Sequence, residues 1–255
     1  MPNGDPEPPA PQAALPNGDY MHWFKDYHDE QGEYWKKHVM SWEAGAYYKD
    51  SERPMPFWER VAALLRGNGM YVRMEAARRL VLPQVKGMTV LDLGCASGRF
   101  AFQLAEAGAQ RVIGIDVSPD AIEAANRSRA RSAYADRLEF QVGDLMQETL
   151  PLPQVDLVTA LGVLEYFEAP ALDALLARFR THYFLLDFPD EEGRKGAWLI
   201  WNLRKVYLRI NGCPGVHLYS KDEFRQIAAK HGFADLRFVH HSIFDYVTNL
   251  PAAPA

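Results

Sequence analysis

The sequence predicts an α/β fold, a doubly wound and mostly parallel seven-stranded sheet, preceded by an N-terminal helical extension. Three observations lead to this prediction. From about residue 85 onward, short apolar runs alternate with helical patterns, which is typical of strands joined by crossover helices. The runs are apolar nearly throughout, as expected of strands covered on both faces. The chain has 255 residues, 48% of them apolar, which is enough to build one large core.

The N-terminal part of the chain divides into two segments of different composition. Residues 1–18 are rich in Pro, Gly and Asn and have almost nothing to bury, so we expect a disordered tail. Residues 19–84 begin with many aromatic side chains and predict a helical cap or extension. A helix is expected over 57–82, broken at Gly67–Gly69 and ended by Pro83. Four apolar residues fall at helical spacing earlier in this segment: Trp35, Val39, Trp42 and Ala46.

Residues 85–255 predict one α/β domain. Strands are expected at 88–93, 111–116, 138–142, 156–161 and 183–188, with two paired strands within 234–248 that close the sheet. Helices are expected at 99–107, 119–131, 170–180 and 220–231. Ser118 and Pro119 are typical of an N-cap and a first helical turn, and Gly232 is typical of a helix end.

Composition and net charge limit which partners and which cellular location the sequence is compatible with. A net charge of -5 gives no general reason to expect nucleic acid as a partner. No apolar run approaches the roughly 18 residues that cross a bilayer, and no secretory signal is visible. Two cysteines, Cys95 and Cys213, fit a reducing compartment. We therefore expect a cytoplasmic protein, and we find no spacing typical of a metal site.

The stretch "VLDLGCASGRF" at 90–100 carries the first functional signal. Asp92 stands near the end of a strand, and Gly94 and Gly98 follow it in a turn. Ligands of doubly wound sheets bind beyond the carboxyl ends of the strands. A glycine lets a ligand approach the backbone closely, and the helix that starts after Gly98 directs its N–H groups to the same place. This stretch therefore predicts a ligand site.

Spacing excludes two nucleotide-binding motifs at this turn. The dinucleotide fingerprint G-x-G-x-x-G requires glycine where Ala96 stands and a glycine or alanine where Arg99 stands. A P-loop requires Gly-Lys-Ser/Thr, which does not follow.

Two further acids end the next two strands. Asp116 lies 18 residues beyond Gly98 and can accept hydrogen bonds from a ribose diol. Asp144 follows the third strand and can accept from an adenine amino group. A single acid of this kind is most often a solvated turn residue, but Asp92, Asp116 and Asp144 end three successive strands. We expect them to surround one nucleoside.

Four segments resemble motifs of the class I S-adenosylmethionine-dependent methyltransferases, in their small-molecule branch. They are "VLDLGCASGRF", "VIGIDVSPDAIEAA", "LEFQVGDL" and "VDLVTALGVLEYF". The resemblance covers about 85–190 and, more loosely, 216–248. It departs at Ala96, where many members have glycine. The resemblance implies a Rossmann-like fold, S-adenosyl-L-methionine as cofactor and methyl transfer as activity.

The resemblance also implies roles for matching positions. The implied cofactor contacts are Gly94, Cys95 and Gly98 along the methionine part, Asp92 at its ammonium, Asp116 and Val117 at the ribose and adenine, Asp144 and Leu145 at the adenine edge, and Leu161 under the sulfonium. Arg73 precedes the first strand and could pair with the cofactor carboxylate. The alternative for Arg73 is an ordinary surface charge.

Methyl transfer requires in-line positioning, and a base helps when the acceptor is a hydroxyl or a protonated amine. Tyr166 in "GVLEYF" occupies a position where small-molecule members often carry a histidine facing the acceptor, so it is the first catalytic candidate. The alternative is a packed tyrosine with a satisfied hydroxyl. Glu165 is expected to point away. His217 is a second candidate base, and Asp187 is a candidate substrate ligand.

A lid is expected at 190–216, after the fifth strand. Its basic residues are Arg194, Lys195, Arg204, Lys205 and Arg209, with no acid over 194–210. This segment is interpreted as attracting an anionic acceptor, as making peripheral membrane contact, or as an ordinary packed helix.

We expect methylation of a small molecule, at oxygen of an anionic or aromatic, bulky acceptor. Nitrogen or carbon acceptors, a tetrapyrrole acceptor and a non-catalytic cofactor-binding scaffold are the alternatives.

Overall fold

The computed structural model describes residues 32–40, 43, 69–190, 213, 216–241 and 244–252. The predicted tail and nearly all of the predicted lid lie outside these residues. So do residues 57–68, the first part of the helix predicted at 57–82. The prediction of three segments, with bounds at 18 and 84, therefore stays a prediction.

The described elements follow the predicted alternation closely. The helices are α1 (32–40), α2 (Gly69–Val81), α3 (Arg99–Glu106), α4 (Pro119–Arg129), α5 (Ala169–Ala177) and α6 (Lys221–Lys230). The strands are β1 (Thr89–Leu93), β2 (Arg111–Asp116), β3 (Leu138–Val142), β4 (Leu157–Ala160), β5 (Tyr183–Phe188), β6 (Arg237–His241) and β7 (Phe244–Thr248). Short 3-10 turns lie at Ala135–Arg137 and Leu164–Tyr166.

The strands form one seven-stranded sheet in the order β3-β2-β1-β4-β5-β7-β6. The first five strands of that order are parallel, and β7 runs antiparallel to both β5 and β6. The chain moves outward from β1 to β3 and then returns to β4 on the other side of β1. Ligands of such sheets bind at this reversal, beyond the carboxyl ends of β1 and β4. The predicted fold class is confirmed.

Helices cover both faces of the sheet. One apolar core joins the sheet to α5 and α6 through side chains such as Leu172 and Phe224, which are fully buried. The other joins it to α2, α3 and α4 through side chains such as Ala77 and Leu104. Strands between two such layers must be apolar on both faces, which explains their nearly continuous apolar sequences.

Local signals set the helix ends. The hydroxyl of Ser118 accepts a hydrogen bond from the Ala121 N–H at 3.3 Å, with Pro119 opening α4. Ser220 caps α6 in the same way, and Gly232 directly follows the C-cap of α6 with φ +80.

The extension contributes α1 and α2 to the described part of the chain. Trp35 and Val39 lie on α1 as predicted, whereas Trp42 and Ala46 lie outside the described residues. Of the predicted break at Gly67–Gly69, only Gly69 lies within the described residues, and it is the first residue of α2. Within the described ranges, no helix is both long and apolar enough to span a membrane.

Candidate active site

The turn after β1 has backbone angles and close neighbours that favour glycine at two of its positions. Gly94 and Gly98 have φ of +67 and +82, in the left-handed region. A Cβ on Gly94 would overlap Cγ2 of Val163, and one on Gly98 would lie 2.7 Å from the Phe140 ring. Ala96 also has a positive φ, of 48. The turn thus brings bare backbone to the reversal point of the sheet.

Asp92 lies beneath this turn and is nearly fully buried. It is 3% exposed, and its Oδ1 accepts a hydrogen bond from the Thr159 hydroxyl at 2.8 Å. Burial raises the pKa of Asp92 to about 7; the Thr159 bond opposes this shift, and the nearby Asp116 charge adds to it. A cationic group in the pocket would favour the ionised form.

Asp116, at the end of β2, is fixed by backbone donors. Its two carboxylate oxygens accept hydrogen bonds from the N–H groups of Ala96 at 2.8 Å and Ser118 at 2.9 Å. Burial raises the pKa of Asp116, and these two bonds partly offset that effect. The carboxylate therefore holds the glycine turn against the start of α4.

Asp144 follows β3 at the same edge of the sheet. Its Oδ1 accepts a hydrogen bond from the Met146 N–H at 3.0 Å. Leu145 is 8% exposed and packs into the core beside α5, and Val117 is half-buried. Since β1, β2 and β3 are neighbours, the three predicted acids lie at or just beyond the ends of adjacent strands.

A pocket opens beside the turn. Its lining residues are Glu43, Arg73, Met74, Asp92, Gly94, Cys95, Ala96, Arg99, Phe100 and Leu161. Five of the predicted cofactor residues are among them. The sequence predicted Leu161 as the last residue of β4, whereas in the structure it is the first residue after this strand. Burial strongly raises the pKa of the Cys95 thiol, so this side chain is a neutral part of the wall.

Glu43 is a pocket residue that the sequence reasoning missed. Its carboxylate is buried and accepts hydrogen bonds from the N–H and hydroxyl of Ser97 and from Nε of Arg99, the last at 3.0 Å. Nearby on α1, the Lys36 carbonyl accepts a hydrogen bond from Ser118 at 3.3 Å. The extension thus crosses the strand ends. The only signal for Glu43 in the sequence is that an acid stands within an aromatic-rich helical pattern.

Arg73 is not the surface charge that the sequence allowed as an alternative. It is 7% exposed, and its guanidinium lies 2.9 Å from Asp187 and 3.7 Å from Glu165. Burial acts to lower the pKa of Arg73, but these two carboxylates outweigh it and raise the pKa. A Cβ on Gly162, which has φ +74, would overlap Nη1 of Arg73. Gly162 was not singled out from the sequence.

Glu165 was expected to point away from the acceptor, and it is not among the residues that line the pocket. Its carboxylate is 2% exposed and accepts a hydrogen bond from the Tyr166 hydroxyl at 3.2 Å. The Tyr166 ring packs against Trp35 with ring centroids 4.7 Å apart. Tyr166 therefore has the packed environment and bonded hydroxyl of the structural alternative, and its catalytic role stays a prediction.

Asp187 also differs from its expected role as a substrate ligand. Besides pairing with Arg73, it accepts a hydrogen bond from the Gly162 N–H at 3.1 Å. His217 lies nearby, because its N–H donates to the Glu165 carbonyl at 2.7 Å. Its Nε2 is buried and has no hydrogen-bond partner within the described part of the chain. His217 therefore keeps a nitrogen available, and its role as a base stays a prediction.

Comparison with known proteins identifies the domain. Residues 84–178 match the family model described as a methyltransferase domain. The chain is similar to the ribosomal protein L11 methyltransferase of Tolumonas auensis, with 40% identity over 76 residues. That match covers 30% of this chain and 25% of the relative, so the chain spans about a quarter of that protein's length.

Solved structures share the fold over much more of the chain. Magnesium protoporphyrin IX methyltransferase from Synechocystis PCC 6803, with bound S-adenosylmethionine, aligns with a TM-score of 0.59 and 18% identity, covering 93% of this chain and 98% of that one. The pyocyanin biosynthetic protein PhzM aligns with a TM-score of 0.56 and 15% identity, covering 74% of this chain and 56% of that one.

Residues 84–178 thus match a methyltransferase domain, and the chain has the doubly wound fold of the aligned methyltransferase structures. The two aligned structures of magnesium protoporphyrin IX methyltransferase hold S-adenosylmethionine and S-adenosylhomocysteine. The site fits S-adenosylmethionine, because bare backbone at Gly94 and a buried carboxylate at Asp92 line one pocket.

Proposed function

We propose that this chain methylates a small molecule at oxygen, and that the acceptor is anionic or carries an aromatic or bulky apolar body. The observation that carries the proposal is a cluster of aromatic side chains between α1 and the turn at Leu164–Tyr166. Tyr34 and Trp35 of α1 pack edge to face at 5.2 Å, and Trp35 covers Tyr166. Tyr166 is only five positions after the pocket residue Leu161. Aromatic clusters of this kind suit planar or apolar ligands.

The residues of the strand-end edge would hold the cofactor. When bound, S-adenosylmethionine supplies an electrophilic methyl group on a sulfonium. Asp92 would hold the amino group, Asp116 the ribose hydroxyls and Asp144 the adenine edge, with Val117 and Leu145 flanking the base. Such binding fixes the direction from which an acceptor must approach, and positioning of this kind supplies much of the rate.

Two side chains are our candidates for taking the acceptor's proton. His217 has a buried Nε2 with no hydrogen-bond partner within the described ranges, and a histidine nitrogen of this kind can serve as a general base. Tyr166 has its phenol oriented by the bond to Glu165, so it can align an acceptor hydroxyl. We propose His217 as base and Tyr166 as orienting group.

A tetrapyrrole is a second candidate acceptor. It is favoured by one observation, the alignment with magnesium protoporphyrin IX methyltransferase over 98% of that chain. A tetrapyrrole with acidic side chains combines the two properties proposed above, a planar apolar body and an oxygen nucleophile.

The basic stretch 194–210 lies outside the described residues, and its role in attracting an anionic acceptor or touching a membrane surface stays a proposal. We also propose a cytoplasmic location, which is supported by the low cysteine content of the chain, two in 255 residues.

An acceptor panel tests the proposed function. Formation of S-adenosylhomocysteine is measured with protoporphyrin IX and its magnesium complex, with hydroxybenzoates, and with ribosomal protein as a macromolecular comparison. Turnover with a ring-bearing small molecule is expected, and it should be lost in His217→Gln. Turnover with protein alone would overturn the small-molecule proposal. Cofactor binding without turnover on any acceptor would support the scaffold alternative.

A further inference from the structure

One arginine side chain joins α5 to the loop that follows β3. Arg178 directly follows α5, and its guanidinium donates hydrogen bonds to three backbone carbonyls of residues 143–150, which we call the β3 loop. These carbonyls belong to Leu145 at 2.6 Å, Gln147 at 2.8 Å and Leu150 at 3.4 Å. The Nε of Arg178 donates to the Ala174 carbonyl at 3.3 Å, so the planar group is also held at the end of α5.

The chemistry of arginine suits this contact. Arg178 is half-buried, and burial lowers its pKa, while the charges of Glu148 and Asp144 act in the opposite direction. An arginine nevertheless stays protonated in proteins, and its donors point in fixed directions within one plane. Hydrogen bonds from a charged donor are stronger than those between neutral groups. The guanidinium therefore fixes the β3 loop against α5.

The same loop orients Asp144. The N–H of Met146, which stands between two of the residues held by Arg178, donates to Oδ1 of Asp144 at 3.0 Å. The N–H of Gln147 donates to the Asp144 carbonyl at 3.1 Å. At the start of the loop, the Gly143 N–H donates to the Asp116 carbonyl at 2.9 Å. A shift of the carbonyls that Arg178 holds would therefore turn the Asp144 carboxylate.

The second carboxylate oxygen of Asp144 lies beside Gly32 of α1. A Cβ on Gly32 would lie 2.9 Å from this Oδ2 and 3.9 Å from Cγ2 of Val117. The glycine thus keeps a side chain out of the space between Asp144 and Val117. These are two of the residues that we propose to contact adenine, and Oδ2 is the oxygen that would accept a hydrogen bond from its amino group.

We propose that Arg178 is a positioning residue that sets the specificity of the site for adenine. It is not among the residues that line the pocket, and it acts through the turn at 144–147, which aims the Asp144 carboxylate. A carboxylate can accept from the amino group of adenine, whereas hypoxanthine presents a carbonyl oxygen at the same position. This inference rests on the proposed adenine contact of Asp144 and deepens it, without depending on the methyl acceptor.

Calorimetry with two probes tests the inference. S-adenosylhomocysteine and S-inosylhomocysteine differ only in that hypoxanthine replaces adenine. The wild-type chain should bind the adenosyl probe about tenfold or more tightly, because the other probe leaves a buried acceptor unpaired. In Arg178→Gln this preference should fall to about threefold or less, because the acceptor is no longer held in place. Arg180→Gln, the same change at an exposed arginine two positions later, should keep the wild-type preference.

A second variant separates the charge of Arg178 from its geometry. Arg178→Lys keeps the positive charge but not the planar group, so it cannot hold three carbonyls in fixed directions. The preference should fall by about threefold to fivefold in this variant, between the values for wild type and Arg178→Gln. Wild-type preference in either folded Arg178 variant would overturn the inference.

A double variant tests whether Arg178 acts through Asp144. Asp144→Ala alone should abolish most of the preference. In that background Arg178→Gln should change the preference by less than about twofold, since two residues that act through one contact are not additive. The same fold-change with and without Asp144 would show that Arg178 acts by another route and would overturn the inference. An unchanged preference in Asp144→Ala would instead overturn the proposed adenine contact, so the two failures are distinguishable.

Discussion

The two walls of the cofactor pocket are built in different ways. The wall at the ends of β1, β2 and β3 consists of a glycine turn and of acids that lie at or just beyond the strand ends. A second wall includes Arg73 of α2, which pairs with Glu165 and Asp187, 92 and 114 positions later in the chain. The first wall is backbone geometry encoded in short stretches. The second is a balance of charges that exists only after folding, so a short motif can specify the first wall but not the second.

The largest effect is expected from adding one methyl group to the strand-end wall. Gly94→Ala would place a Cβ against Val163 and force alanine into a left-handed conformation. We expect S-adenosylmethionine affinity, measured by calorimetry, to fall by more than about 100-fold, since strain and overlap together cost about 3 kcal/mol or more.

Gly232→Ala is the matched control. Gly232 also has a positive φ, of 80, but nothing lies within 4 Å of a Cβ built there. It should lower the free energy of unfolding by about 1–2 kcal/mol and leave cofactor affinity unchanged. Equal loss of affinity in both variants would show that the Gly94 result reflects stability alone.

A smaller loss is expected when Asp116, the acid proposed to bind the ribose, is removed. Asp116→Ala should weaken S-adenosylmethionine binding by about 1–3 kcal/mol, because charge-assisted hydrogen bonds to the ribose are lost. Asp116→Asn keeps one acceptor for the Ala96 and Ser118 N–H groups, so it should retain more affinity than alanine. An affinity unaffected by Asp116→Ala would contradict the assignment of the strand-end wall.

The difference between the two walls explains which parts of the fold and of the site could be predicted from the sequence. The bounds of β2 at 111–116 and of β5 at 183–188 were predicted correctly, because buried parallel strands are apolar runs with clear ends. The ion pair of Glu165 with Arg73 was not predicted, because the two residues are distant in sequence. Glu43 was missed because its contact, Ser97, lies 54 positions away. Periodicity reports which face is buried, but it does not report which charges meet there.

A moderate pH effect is expected from Asp92. The pKa of Asp92 in the folded protein is raised from 3.8 to about 7, so below pH 7 the free protein holds a proton there. The cofactor ammonium favours the ionised form, and binding must then release that proton. S-adenosylmethionine affinity should rise as the pH increases from 6 to 7.5, by up to about tenfold per unit, and this rise should be absent in Asp92→Asn.

Stability gives an independent measurement of the same group. Between about pH 4 and 7 the folded state binds the Asp92 proton and the unfolded state does not. The free energy of unfolding should therefore fall as the pH rises across this window, and it should level off above 7. A wild-type protein and Asp92→Asn with parallel pH profiles, measured by urea denaturation, would show that Asp92 is ionised throughout.

The smallest effect concerns the basic stretch at 194–210. Replacing Arg204 and Lys205 with Ala should raise the KM for an anionic acceptor about threefold to tenfold, as expected for one or two partly screened charges. Cofactor affinity should hardly change. Equal effects on acceptor and cofactor would count against a role in attracting the acceptor.

The hydrogen bond from Tyr246 to the Arg73 carbonyl has a consequence for synthesis of the protein. Tyr246 belongs to β7, which inserts between β5 and β6 although it follows both in the chain. During translation, β5 and its Asp187 leave the ribosome long before the strand that must pair with β5. A nascent chain therefore cannot anchor Arg73 fully until residue 246 has emerged, and its ability to retain S-adenosylmethionine should appear late in synthesis.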